Sequence, residues 1–110
     1  MPFDSTYRVE EPTREKIEQT SGPLLLEFGS SWCGHCQALS PIVEALLGEC
    51  PQVQHVRIAD GSGKKLGRSF RVKLWPTLVF LRDGKVISQL VRPPGDEVRQ
   101  GFEQLLASYS

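Results

Sequence analysis

The feature that most restricts the fold is Leu24-Leu25-Leu26-Glu27-Phe28, a nearly continuous apolar run directly after Ser21-Gly22-Pro23. A strand with one wet face alternates apolar and polar residues, whereas this run suits a central strand covered on both faces. It therefore calls for helices on either side of a sheet, and the rest of the chain offers them. Pro12-Thr13 ahead of residues 14–19 provides a cap and a polar, amphipathic first helix. Over residues 33–49 apolar side chains recur at helical spacing through Ala38, Leu39, Ile42, Val43, Leu46 and Leu47, which predicts a long helix kinked near Pro41. Residues 53–59 alternate like a strand, Asp60-Gly61-Ser62-Gly63 forms a turn and cap, and residues 64–70 suit a short helix. Residues 77–81 and 85–91 flank Asp83-Gly84, a pair that favours a tight primed turn between antiparallel strands. After Pro93-Pro94-Gly95, the positions of Val98, Phe102, Leu105 and Leu106 mark a last amphipathic helix. The expected class is α/β, a mixed central β-sheet flanked by helices on both faces. A length of 110 residues fits one domain, 1–110, around one modest core.

Thirteen Lys and Arg balance thirteen Asp and Glu. With no net charge, nothing favours nucleic acid or an anionic membrane as partner, and recognition must be local. The start, Met1-Pro2-Phe3-Asp4-Ser5, lacks the basic stretch and apolar core of a signal peptide, and no later run is long enough to span a bilayer. The chain reads as cytoplasmic, with a periplasmic location as the alternative if a leader has been removed ahead of Met1. Its three cysteines are too few and too unevenly spaced for a disulfide-stapled secreted scaffold. Two of them, separated by two residues, suggest chemistry instead.

Cys33 and Cys36 can close a small disulfide loop. When Cys33 starts a helix, its sulfur faces backbone N–H groups that have no intrahelical acceptor, a placement that favours the thiolate. The thiolate is the form that attacks a disulfide, so Cys33 is the expected nucleophile. Cys36, one helical turn further in, is the expected resolving thiol, which attacks the mixed disulfide and releases the product. Gly34 and His35 lie between the two and tune the couple. A protonated His35 would stabilise the reduced form and make the pair more oxidising. Cys33, His35, Cys36, Cys50 and His55 are all chemically capable of binding zinc, but the second half of a structural site lacks a paired spacing, and no metal is expected. Cys50, at the end of the long helix, reads as a small buried hydrophobe or a spare thiol.

The segment Leu26-Glu27-Phe28-Gly29-Ser30-Ser31-Trp32-Cys33-Gly34-His35-Cys36, followed by Ser40-Pro41, resembles the active-site strand and helix of the thioredoxin superfamily. Trp75-Pro76-Thr77 before a strand is similar to the family's cis-proline signature, and Asp83-Gly84-Lys85-Val86 to its hairpin. The Cys33-Gly34-His35-Cys36 tetrad itself resembles that of protein disulfide isomerase domains, whereas cytosolic thioredoxins usually carry Pro where His35 stands. The resemblance implies a thioredoxin fold and a thiol–disulfide oxidoreductase that exchanges electrons with protein disulfides. The first expectation is a monomeric reductase, recharged by a flavoprotein reductase or a small thiol and needing no bound cofactor beyond the redox-active pair. An oxidase or isomerase, favoured by His35, is the alternative. A third possibility is a polypeptide-binding module that uses Trp32, Trp75 and Pro76 without turning over thiols.

The resemblance also implies roles for single residues. Pro76 should be cis and face the disulfide, where the backbone beside it pairs with an extended substrate, while Trp32 and Trp75 serve as an apolar platform or as core. Glu27 matches the family's buried acid, stripped of solvent and placed to exchange the Cys36 proton. Arg57 stands where the family often has Lys, so it either tunes Glu27 or faces solvent. Arg92, followed by Pro93-Pro94, replaces a common Gly beside the substrate groove, which implies altered partner choice.

Overall fold

The computed structural model describes residues 3 and 5–107. In chain order they form β1 (Tyr7–Arg8), α1 (Arg14–Glu18), β2 (Pro23–Gly29), α2 (Gly34–Glu49), β3 (Gln54–Ala59), α3 (Lys65–Ser69), β4 (Thr77–Arg82), β5 (Lys85–Val91) and α4 (Gly95–Ala107). The strands make one five-stranded sheet in the order β1-β3-β2-β4-β5. β1, β3 and β2 run parallel; β4 is antiparallel to β2, and β5 to β4. The apolar run is thus the middle strand of the sheet, as its two-sided hydrophobicity requires.

Alternation along β2 divides the core in two. Leu24, Leu26 and Phe28 pack with Ile17 of α1 and with Leu66 and Phe70 at α3, on one face. Leu25 packs on the other face with Leu39, Val43, Leu46 and Leu47 of α2 and with Val98, Phe102 and Leu105 of α4. Each large apolar side chain so buried stabilises the fold by about 1.5–3 kcal/mol. Glu27 falls between Leu26 and Phe28 and so shares the face of Leu25, beneath α2. That parity sets up the site.

Local chemistry fixes the ends of the elements. Thr13 caps α1, its hydroxyl accepting from the Lys16 N–H at 3.1 Å. α2 continues through Pro41, whose ring removes one rung of the helical ladder. At the β4–β5 tip, Asp83 (φ 52°) and Gly84 (φ 81°) both take the left-handed backbone that a primed hairpin turn demands. Asp83 Oδ1 accepts from the Gly22 N–H at 2.7 Å, while the Asp83 N–H donates to the Gly22 carbonyl at 3.1 Å. The hairpin is thereby docked on the loop between α1 and β2. The short strand β1 was not signalled by the sequence.

Candidate active site

Cys33 occupies the N-cap position of α2, with an extended backbone (φ −81°, ψ 118°). Its Sγ accepts a hydrogen bond from the Cys36 N–H at 3.2 Å. Here the sulfur does what a Ser or Asp oxygen does at an ordinary cap. All three cysteines are free thiols. Cys33 is 8% exposed and Cys36 only 1%, so the outer sulfur is the one a substrate can reach. Burial pushes the Cys36 thiol up to about 11, its hydrogen bond with Cys33 adds to this, and the Ser30 backbone acts against it. Cys36 is thus mostly protonated at neutral pH, and a group that takes its proton would speed its attack.

A buried carboxyl group lies beneath α2. Glu27 is fully buried. Its Oε1 accepts from Arg57 Nε at 3.1 Å and lies 2.8 Å from His55 Nε2. Its Oε2 is buried without a hydrogen-bond partner. Arg57 is 4% exposed, so its head group is inside the protein and not in solvent. It also donates from Nη2 to Ser40 Oγ on α2 at 2.7 Å, and its guanidinium lies 4.8 Å from the centroids of both the Phe3 and Tyr7 rings. A buried carboxylate needs such a partner, since an unpaired charge in this setting costs several kcal/mol. His55, considered from sequence only as a metal ligand, is buried against Glu27 and stacks on Phe3 at 5.4 Å. The signal was available: His55 and Arg57 are two apart on a strand and must share a face. Among the described residues no group of three His, Cys, Asp or Glu side chains is gathered to hold a metal.

The second wall of the site comes from the loop before β4. The Trp75–Pro76 peptide bond is cis. Trp32 is 75% exposed and meets the half-buried Trp75 edge to face, with centroids 5.5 Å apart. The Trp75 indole N–H is held by Asp60 Oδ2 at 2.9 Å. Of the two tryptophans, then, neither is fully buried core, and Trp32 is a surface feature. Arg92 has the left-handed backbone (φ 46°); its N–H donates to the Pro76 carbonyl at 2.9 Å and its Nε to the Trp75 carbonyl at 2.7 Å. His35, Ala38, Leu39 and Ile42 face Pro76 and Arg92 across an open groove. Gly34 is exposed, with open space where a Cβ would project. Cys50, half-buried at the C-cap of α2, stands apart from these groups and packs against the core. No helix among the described residues is long and apolar enough to cross a membrane.

The thioredoxin family model matches residues 6–104. An H-type thioredoxin of Ricinus communis is 28% identical over 96 residues, which cover 87% of this chain and 81% of that protein. A thioredoxin of Chlamydia trachomatis is 35% identical over 71 residues, 64% of this chain and 70% of its own. Among solved structures, reduced thioredoxin 2 of Pseudomonas aeruginosa superposes with a TM-score of 0.85 at 44% identity, covering 96% of this chain and 99% of the other.

Proposed function

The chain belongs to the thioredoxin family and is a thiol–disulfide oxidoreductase, and from that premise we propose that it reduces protein disulfides through the Cys33/Cys36 couple with Glu27 as proton acceptor. The Cys33 thiolate attacks a substrate disulfide, forming a mixed disulfide and expelling the first substrate thiolate. Cys36 gives its proton to Glu27 and attacks the Cys33 sulfur. The second substrate thiolate leaves, and the Cys33–Cys36 disulfide remains. Two electrons have passed to the substrate, and a flavoprotein reductase or a small thiol returns them. The observation that carries this assignment is the pairing of a cap-position sulfur that accepts the Cys36 N–H with a fully buried carboxylate under the same helix. The unpartnered Glu27 Oε2 supports its role as the acceptor.

Glu27→Gln keeps the shape of the side chain and removes the base. Rapid-mixing experiments should show resolution of the mixed disulfide slowed about 100-fold, a usual loss for a general base, with the first attack by Cys33 nearly intact. Equal slowing of both steps would remove Glu27 from the proton-transfer role.

Substrate enters along the groove between α2 and the Trp75–Pro76 loop, with Trp32 and Trp75 as its apolar flank. The Arg92 hydrogen bond to the Trp75 carbonyl occupies a backbone acceptor that an extended segment would otherwise use, which supports a narrowed choice of partners. His35 sets the redox direction. It occupies the second helical position of α2, where Pro is tolerated because the N–H has no intrahelical acceptor. His35→Pro should lower the reduction potential by roughly 30 mV, the equivalent of about 1.4 kcal/mol, measured by equilibration against glutathione buffers. An unchanged or higher potential would count against electrostatic tuning by this residue. On this proposal the reductase works in a compartment that keeps thiols reduced, as the cytoplasm does, and acts as a monomer.

A further inference from the structure

Tyr7 borders Cys36 and has no part in the mechanism above. Strand register places it: Tyr7 pairs with Arg57 across β1 and β3, and Arg57 with Glu27 across β3 and β2. Lateral partners share a face, so the three side chains form a row beneath the start of α2. Gly29, two residues after Glu27, lies on the same face and leaves a notch there. A Cβ at Gly29 would come 2.5 Å from Cys36 Sγ and 3.4 Å from Tyr7 Oη. The cysteine sulfur and the phenol therefore converge in the space that a larger residue would fill. Tyr7, Cys36, Ser40 and Arg57 line one small cavity at this point.

The Tyr7 hydroxyl is buried there without a hydrogen-bond partner. A buried hydroxyl without a full hydrogen bond is unfavourable, and a neighbouring sulfur that becomes a strong acceptor only as it loses its proton would explain why it is kept. Resting on the assignment of Cys36 as the resolving thiol, we propose that the Tyr7 hydroxyl donates a hydrogen bond to the Cys36 sulfur as that thiol becomes a thiolate and attacks the mixed disulfide. The proton leaves Cys36 for Glu27. The thiolate pair forms the Cys33–Cys36 bond while the bond between Cys33 and the substrate sulfur breaks, and the phenol keeps its own proton throughout. Burial, reinforced by the Glu27 charge, holds the Tyr7 phenol above its usual range, so it stays a donor. Its hydroxyl also acts on Cys36 in the direction of the thiolate, against burial and the Cys33 hydrogen bond. The other ionisable groups of this neighbourhood are Cys33 at the N-cap of α2, Glu27 on β2, and His55 and Arg57 on β3, and Tyr7→Phe keeps the ring that faces Arg57.

Tyr7→Phe removes the donor and, with it, an unsatisfied polar atom, so the fold should persist. In a Cys33→Ser background, where Cys36 titrates alone of the pair, ultraviolet thiolate absorbance should show its midpoint raised by about 0.5–1 pH unit in Tyr7→Phe, a three- to tenfold smaller thiolate fraction at neutral pH. With both cysteines present, single-turnover kinetics should show resolution slowed about threefold to tenfold while the attack by Cys33 keeps its rate. Tyr7→Leu, which also lacks the donor, should shift the midpoint in the same direction. A midpoint that stays put in both variants overturns the proposal. A mixed disulfide that forms on Cys36 instead of Cys33 would overturn the thiol assignment beneath it, and mass analysis of the trapped species distinguishes the two failures.

Discussion

Cys36→Ser protein is expected to attack one substrate disulfide and stop. Cys33 retains its cap position, since the bond to its sulfur comes from the backbone N–H of residue 36 and not from the side chain. The first step therefore survives. What disappears is the neighbouring thiol, held within a turn of the mixed disulfide, and no external thiol at ordinary concentration matches such an intramolecular group. Multiple turnover should fall on the order of 1,000-fold, with one substrate equivalent bound per chain through Cys33. Cys50 cannot take over. It follows the last residue of a 16-residue helix, about 24 Å along the axis from the first turn. Peptide mapping of the trapped adduct checks this, and continued turnover with no adduct would show that resolution comes from elsewhere.

Gly84→Ala should be the most damaging single methyl outside the active site. Gly84 has φ 81°, a left-handed conformation that costs an L-residue about 1–2 kcal/mol. The added Cβ would also be driven into the backbone carbonyl of Glu18, at the end of α1. That carbonyl has little freedom to yield, because the Asp83–Gly22 pair of hydrogen bonds fastens the same loop to the same hairpin tip. Strain and displacement together should destabilise the protein by about 3 kcal/mol, and lower the melting temperature by about 10 °C or more. Denaturant unfolding with an unchanged slope would report the loss cleanly. A change below about 0.5 kcal/mol would mean that the tip does not pack on α1.

The elements that were legible in the sequence are those whose signal is local. Leu24 to Phe28 announced a two-sided central strand, Asp83-Gly84 a primed turn, and the spacing of Leu39, Val43, Leu46 and Leu47 the long helix, because periodicity and turn chemistry act over a few residues. The cysteine pair was legible for the same reason, and the resemblance around it extended the reading to the loop at Pro76. β1 was not legible: two residues, Tyr7 and Arg8, carry no period, and they become a strand only through pairing with β3. Tyr7 was lost with it. For Arg57 the sequence does not decide between core and solvent, because its burial depends on a carboxylate one strand away. His55 reads from sequence only as a group capable of binding zinc in a chain expected to hold none, although its two-residue offset from Arg57 places both on one face. The turn of Arg92 back onto the Trp75 carbonyl follows from a left-handed backbone that no propensity assigns to Arg. In each case the missing information was tertiary.

The most direct test of a Cys33/Cys36 dithiol couple is a single-turnover reaction of the fully reduced protein with a protein disulfide, quenched and analysed by mass after alkylation of the remaining thiols. The expected result is one substrate disulfide reduced per chain oxidised, with Cys33 and Cys36 joined and Cys50 still alkylated. Substrate reduced while Cys33 and Cys36 remain free thiols, or no substrate reduced at all, would contradict it.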